Sequence, residues 1–560
     1  MSAWPYVLAN GFWLGSGAWQ AWDFQHSLNK PRERQWILLR SMLANNAESE
    51  YGRRYQFNRI DSISKFQQIV PPVTYEDLRG DIEAIKRGKQ GVLTTEPVLM
   101  FEKTTGSTAA AKYIPYTASL RRQFQAAIAP WMLDLYRNHP SMALGGAYWS
   151  ISPAASMREV TEGGLSVGFD NDSDYFGRFS RYWLKRLFLL PPEIAQLSTI
   201  DAIRYATLRF LLPNSNLRFV SVWNPSFFTL LIEYMDQHAK RLIADIRNGT
   251  LTFPTPVDAD LKGKLAKDLS PQPSRAAQLE AVLQGNLSLC PSKVWPHLSV
   301  ISCWTSANAK WFVDDLHKRF PQVEIQPKGL LATEGVVSIP IAKQSGGVLA
   351  VTSHFMEFVD ENNPCAKPLL VDELKTGSIY TVLITTGGGL YRYALGDRVQ
   401  VTGFLAQTPI VEFIGKGENI SDLCGEKLNE TFVTNVIEKA LAVHDIKPSF
   451  VMMAPERNSP PGYVLFIESV PMINSLIAIS YFIERALVEN PHYAYCRRLG
   501  QLRPLNVYLV KSGAAETYLK RSVAMGQKIG TVKPKILHRE CGWSEWFNGA
   551  FLETALVGHT

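Results

Sequence analysis

Phe101-Glu-Lys-Thr-Thr-Gly-Ser-Thr-Ala-Ala-Ala-Lys112 gathers Thr104, Thr105, Ser107 and Thr108 around Gly106 and closes on a lysine. Hydroxyls and exposed backbone N–H groups can cradle phosphate oxygens, a glycine lets the backbone come close, and a terminal ammonium neutralises the outer phosphates. The spacing is not that of G-x-x-x-x-G-K-[ST], and a Ser/Thr/Gly cluster between apolar segments is more often a plain loop. What makes it a nucleotide-site candidate lies downstream.

Leu330-Leu-Ala-Thr333-Glu334-Gly335 follows the alternating Val323-Glu-Ile-Gln326 and precedes apolar Val336-Val-Ser-Ile339, which puts Thr333 and Glu334 at a strand end. A carboxylate there can hold Mg²⁺ against a triphosphate. Further on, Ile379-Tyr-Thr-Val-Leu-Ile-Thr-Thr386 reads as a buried strand, Gly387-Gly-Gly389 turns the chain, and Leu390-Tyr-Arg-Tyr-Ala-Leu-Gly-Asp397 returns it. The turn is expected to bring Tyr391, Arg392 and Asp397 together. Asp397 suits both hydroxyls of a ribose, Tyr391 can stack on a base, and Arg392 can meet a phosphate or hold the aspartate. Each also has a bland account: Arg392 with Asp397 as a structural ion pair, Glu334 as a solvated charge.

The order of the three motifs resembles the adenylate-forming (acyl-activating) superfamily, and within it the Gretchen-Hagen family of acyl acid amido synthetases, in the form found in bacteria. The closer resemblance is carried by Ser49-Glu-Tyr-Gly-Arg53, Val70-Pro-Pro-Val-Thr-Tyr-Glu-Asp-Leu78, Lys112-Tyr-Ile-Pro-Tyr-Thr117, Trp223-Asn-Pro-Ser226, Phe355-Met-Glu-Phe358 and Gly389-Leu-Tyr-Arg-Tyr393. It implies an ATP-dependent ligase that joins a carboxylic acid to AMP and passes the acyl group to an amine, in particular that of an amino acid, with Mg²⁺. It also implies an α/β fold: a large N-terminal adenylation domain of β-sheets flanked by helices, residues 1–418, for ATP and acyl substrate, and a smaller, mobile C-terminal α+β domain, residues 419–560. Many superfamily members bring a C-terminal lysine over the site. Lys533 in Gly530-Thr-Val-Lys-Pro-Lys535 is the candidate, with Lys528 and Lys535 as competitors. The superfamily loop reads Thr-Ser-Gly-Ser-Thr-Gly-x-x-Lys, whereas here Thr105 and Ala109 replace a serine and the second glycine. Alanine disfavours positive φ, so the later half of the loop should keep an ordinary backbone. Transfer to a thiol or alcohol, or a non-catalytic scaffold on the same fold, are the competing functions. The joint presence of Lys112, Glu334, Arg392 and Asp397 argues against the scaffold.

Composition agrees with such an enzyme. At 560 residues and 46% hydrophobic the chain is too long for one core, and 19% charged residues is below the usual quarter. The net charge of +7 suits an anionic nucleotide or acidic substrate, while no interleaving of Arg with aromatics marks a nucleic-acid binder. Six scattered cysteines without C-x-x-C pairing and no secretory signal read as reduced thiols of a cytoplasmic protein. Pairing His538 with Cys541 and His492 with Cys496 in a zinc site is the lesser account of those residues. Ser166 in Gly164-Leu-Ser-Val-Gly168 matches G-x-S-x-G, but the polar stretch after it is not the helix a nucleophile elbow needs. His354 and His297, each beside apolar residues, read as core histidines worth watching.

Ala3 to Trp22 is apolar and Trp-rich, with no basic n-region and with glycines at 11, 15 and 17. A helix packed on the large domain is the expectation, with peripheral membrane contact through the tryptophans as the minority alternative. Helical periods at Glu33–Ala47, Ser119–Tyr136, Phe227–Asn248, Arg275–Gln284 and Ser306–Phe320 alternate with strand-like runs such as Ser299–Trp304 and Gly347–Thr352. A hinge is expected near Lys416 to Asp422, beyond which helices at Asn429–His444 and Ser475–Glu489 alternate with strands. The acyl pocket is expected to draw on the region between Ser119 and Phe228.

Overall fold

In the computed structural model the described residues are 4–105, 111–150, 159–168, 187–223, 225–286, 288–305, 310–416, 420–469, 473–524 and 536–552. Gly106, Ser107, Thr108, Lys528, Lys533 and Lys535 therefore lie outside them, as do the side chains of Thr104 and Thr105 and residues 417–419 of the expected hinge. The chain divides into two compact units, with residues 1–104 and 112–417 in the first and residues 105–111 and 418–560 in the second.

Two of the sheets in the first unit differ in character. Gly146–Trp149, Leu217–Ser221, Val300–Cys303 and Glu324–Pro327 lie side by side in sequence order and run parallel throughout. The first three strands are almost wholly buried, as expected of a parallel sheet covered on both faces, while on the edge strand Glu324–Pro327 only Gln326 is buried. The covering helices include Ile200–Leu211, Pro225–Gln237, Ala239–Asn248 and Pro273–Asn286. The helical period expected from Phe227 to Asn248 thus becomes two helices, divided at His238.

The second sheet has six antiparallel strands in the order Ser338–Pro340, Gly347–Leu349, Thr408–Lys416, Tyr393–Leu405, Ile379–Thr385 and Phe355–Asp360. One face packs on the long helix Ala118–Asn138, whose N-cap Thr117 also donates its hydroxyl to the Gly387 carbonyl at 2.8 Å. The turn between Ile379–Thr385 and Tyr393–Leu405 is the triple glycine, and close packing explains its composition. A Cβ on Gly388 would sit 2.6 Å from the Pro115 carbonyl oxygen, and one on Gly389, at φ 92°, would sit 2.6 Å from Leu93 Cβ. Only glycine lets this turn lie against the segment that follows the Ser/Thr/Gly loop.

The apolar N-terminus forms two helices, Trp4–Ser16 and Ala18–Ser27, broken at Gly17, whose Cβ would meet Ala129 Cβ at 2.8 Å. Asn10 anchors the first by donating to the Ala143 carbonyl and accepting from the Tyr136 hydroxyl. Trp4, Phe12, Trp19 and Trp22 remain exposed. No helix among the described residues is long and apolar enough to cross a membrane.

The second unit is a four-stranded sheet in the order Phe450–Glu456, Gly462–Glu468, Asn506–Val510, Gly549–Phe551, with helices Glu430–Val443 and Ile473–Leu487. Only its middle pair is parallel.

Gly388→Ala should lower stability by about 1–3 kcal/mol through overpacking. Gly403→Ala, whose Cβ has only Ile410 Cδ1 at 4.0 Å, should be nearly neutral; urea unfolding of the two variants checks the difference.

Candidate active site

Thr104, Thr105 and Lys112 sit on the neighbouring strands Met100–Thr105 and Ala111–Tyr116, so the Ser/Thr/Gly stretch joins two adjacent strands of one sheet. Lys112 is half-buried, its ammonium 5.8 Å from the Tyr75 ring. Tyr75 opens the helix Tyr75–Lys86, fixed by a capping box in which Asp77 accepts from both the N–H and the hydroxyl of Thr74. The Tyr75 hydroxyl in turn accepts from the N–H of Tyr113 at 2.9 Å.

Thr333 and Glu334 are the two residues of a tight hairpin turn between Leu331–Ala332 and Gly335–Val336. The buried Tyr116 hydroxyl donates to the Thr333 carbonyl at 2.5 Å, tying this turn to the strand that carries Lys112. The Glu334 carboxylate is half-buried and forms no ion pair among the described residues. Behind it, the buried His354 hydrogen-bonds Gln123 through Nδ1, while Nε2 has no partner and would lie 2.9 Å from a Cβ placed on Gly335. The same Gln123 oxygen accepts from the Gly387 N–H at 2.7 Å. One glutamine thus links the backing of the Glu334 turn to the triple-glycine turn.

Beyond that turn the side chains separate, and two expectations need correction. Tyr391 is fully buried, stacks on Tyr51 at 5.0 Å and donates its hydroxyl to the Leu93 carbonyl, so no face is left for a base. Arg392 is equally buried and does not hold Asp397. Its Nε and one terminal nitrogen each donate to Glu357 at 2.9 Å, and the other terminal nitrogen donates to the carbonyls of Gln67 and Val70. With four of its five N–H groups held inside the protein it has no fork to offer a phosphate. Its left-handed backbone, φ 50°, aims it this way, with the Thr385 hydroxyl accepting its N–H.

Asp397 follows Gly396, whose φ of 74° marks an irregularity in the strand, and is nearly buried. Tyr393, which the sequence reasoning passed over, stands between the groups that matter. Burial raises its phenol pKa, and the negative charges of Glu334 and Asp397 raise it further, with Tyr75 contributing as well. Glu334, Asp397 and Tyr75 are therefore all within electrostatic reach of one hydroxyl. The two tyrosines of Leu390-Tyr-Arg-Tyr393 are the available signal, but nothing in the sequence says which of these two buried rings faces the carboxylates.

The residue types fit the nucleotide chemistry expected of them: an ammonium for phosphates, and two carboxylates, Glu334 and Asp397, that both act on the Tyr393 hydroxyl. Among the described residues no group of three or more His, Cys, Asp or Glu gathers as a metal site, so the zinc pairings are not supported there, and a cation at Glu334 would need phosphate oxygens as further ligands.

The GH3 family N-terminal domain matches residues 21–325, its central domain 347–416 and its C-terminal domain 431–540. The chain belongs to the GH3 family. GH3 proteins are adenylate-forming acyl acid amido synthetases, and the fold is theirs. The chain is 24% identical over 539 residues to the indole-3-acetic acid-amido synthetase GH3.5 of Arabidopsis thaliana, covering 89% of this chain and 87% of the relative. It is 25% identical over 567 residues to a probable indole-3-acetic acid-amido synthetase, GH3.1, of Oryza sativa subsp. japonica, covering 94% and 90%. A solved structure of the acyl acid amido synthetase AtGH3.15 in complex with 2,4-DB superposes with a TM-score of 0.63 at 20% identity, covering 94% of each chain. The GH3 segments Val70–Leu78 and Phe355–Phe358 are the ones that supply Val70, Tyr75 and Glu357 to the arrangement above.

His354 carries a pH signature. Burial pushes its pKa down to about 3, while the unfolded chain titrates near the usual value of about 6.5. Above that value both states are neutral; as pH falls through it the unfolded state takes up the proton first, and stability is lost down to about pH 3. His354→Gln should remove up to about 1.4 kcal/mol per pH unit from that slope, checked by urea unfolding at pH 4, 5 and 6.

Proposed function

We propose that this GH3 protein is an ATP-dependent ligase that adenylates a carboxylic acid, releasing pyrophosphate, and transfers the acyl group to an amine, that of an amino acid, releasing AMP. The observation that carries this reading is the convergence of Lys112, Glu334 and Asp397 around Tyr75 and Tyr393. Family membership supports the use of ATP.

In the first half-reaction a substrate carboxylate oxygen attacks the α-phosphate in line, the bond to the β-phosphate breaks, and pyrophosphate leaves. The protein contributes positioning and charge neutralisation, the main sources of rate in phosphoryl chemistry. In this reading Ser107, Thr108 and Lys112 hold the phosphates, with Thr104, Thr105 and Gly106 shaping the loop, and Asp397 accepts from the ribose hydroxyls. Thr333 and Glu334 face the phosphates, and Mg²⁺ on Glu334 would supply countercharge to their oxygens. Lys533 is the catalytic lysine, from a mobile domain of residues 419–560 closing on the domain of residues 1–418. In the second half-reaction the amine nitrogen attacks the acyl carbonyl, AMP leaves, and the amine gives up a proton. The free state of all six cysteines is consistent with a cytoplasmic setting.

Carboxylate-dependent exchange of pyrophosphate into ATP, across a panel of aromatic, jasmonate-like and fatty acids without acceptor, tests the first half-reaction. Exchange with any member is expected; silence with ATP still binding points to an untried acid, and silence without ATP binding returns the chain to the scaffold alternative. Asp397→Ala should raise the KM for ATP by at least about tenfold, the loss of a charged hydrogen bond to ribose. Glu334→Ala should abolish exchange at ordinary Mg²⁺, and its retention would remove Glu334 from the cation. Lys533→Ala should depress exchange and overall ligation together; no effect on either returns Lys533 to the surface.

A further inference from the structure

The four parallel strands end side by side, and their carboxyl edge carries a group that the nucleotide assignment does not use. Trp149, Ser221 and Ser302 are successive register partners there, and Lys328 follows directly on the strand Glu324–Pro327. Lys328 is only 9% exposed. Its ammonium donates to Ser221 Oγ at 2.8 Å and lies 5.3 Å from the ring centroids of Trp131, Trp149 and Trp223. The neighbouring Ser302 hydroxyl is buried with no hydrogen-bond partner. Trp131 is itself held by a hydrogen bond from its indole N–H to Gln326 at 3.0 Å, and Trp223, the third wall, is 49% exposed.

A charge in this position lacks its usual compensation. No carboxylate among the described residues pairs with Lys328, and the one titratable group that acts on it, Cys303, is kept neutral because burial pushes its thiol up to about 12. Burial brings the ammonium down to about 8. Indole faces stabilise a cation by less than the desolvation of an unpaired ammonium costs. A core that needed only volume here would be served by methionine. The carboxyl edge of parallel strands in an α/β sheet is also where such folds take their ligands.

We propose that Lys328, with Ser221 and Ser302, binds the carboxylate of the acyl acid, and that Trp131, Trp149 and Trp223 wall the space for its apolar, aromatic or flat body. This rests on the ligase reading for the identity of the ligand. The three N–H bonds of the ammonium fit it: one is taken by Ser221, and the others are free for the two carboxylate oxygens, with the Ser302 hydroxyl as an added donor. The acid would be bound by a charge-assisted pair in a water-poor aromatic setting, which favours an arylalkanoate over a short polar acid.

Binding of phenylacetate, benzoate and octanoate to the full-length protein by titration calorimetry, without ATP, tests this separately from catalysis. At least one should bind at pH 7. Its affinity should fall about tenfold per pH unit above pH 8, as the free lysine loses its proton. Lys328→Met should weaken binding at least about tenfold and flatten the pH dependence, with the Kd for ATP unchanged and the Tm at or above wild type. Lys328→Arg should retain binding and carry it to higher pH. If Lys328→Met does not fold, Ser302→Ala serves in its place and should weaken binding severalfold. Unchanged affinity and pH profile in the folded variants, or no binding of any of the three acids to wild type, overturns the proposal. Binding that depends on Lys328 without any pyrophosphate exchange would sustain the site while removing the ligase reading.

Discussion

The buried ion pair of Arg392 with Glu357 is the constraint on which the rest of the first unit is arranged. Both side chains are essentially inaccessible, and the guanidinium also closes off the carbonyls of Gln67 and Val70. One residue therefore joins three pieces of chain: the end of the helix Ile63–Ile69, the strand Phe355–Asp360 and the return of the glycine hairpin. A buried pair of this kind contributes little net energy against a well-packed apolar alternative, yet breaking it by removing one partner costs heavily. Its role is to specify geometry. By fixing Arg392 in a left-handed backbone it sets which way Tyr391 and Tyr393 point, the first into the core against Tyr51 and the second toward Glu334 and Asp397.

Close packing does the remaining alignment. The triple glycine, Gln123, Thr117 and Tyr116 link the glycine hairpin, the helix Ala118–Asn138 and the Thr333–Glu334 turn by hydrogen bonds of 2.5–2.8 Å. The neutral His354 sits behind Gly335 with no room for a side chain there. The Glu334 carboxylate is thereby held at a tight turn with no ion pair among the described residues.

Much of this was legible from residues. The alternation of periods located the parallel strands Val300–Cys303 and Glu324–Pro327 and the long helix Ala118–Asn138, because apolar spacing is dictated by which face is buried. The glycine run announced its turn, and Thr333, Glu334 and Asp397 were singled out by residue type and context. Direction of side chains was not legible. Adjacency in sequence points Tyr391 to a base and Arg392 to a phosphate or to Asp397, whereas a left-handed residue and an irregular strand turn consecutive side chains to different surroundings. The partner of Arg392 lies 35 positions upstream, and no local pattern could reveal it. Lys328 escaped notice for a similar reason, since its tryptophans come from a helix, a strand and a loop far apart in sequence.

The most direct test of this account is a double-mutant cycle on stability with Arg392→Met and Glu357→Leu, read by urea unfolding. Each single substitution should cost about 3–5 kcal/mol by stranding a buried charge, and the double variant should cost less than either single one. Independent, near-neutral effects on stability, combined with loss of ATP binding in Arg392→Met alone, would contradict it and return Arg392 to the phosphates.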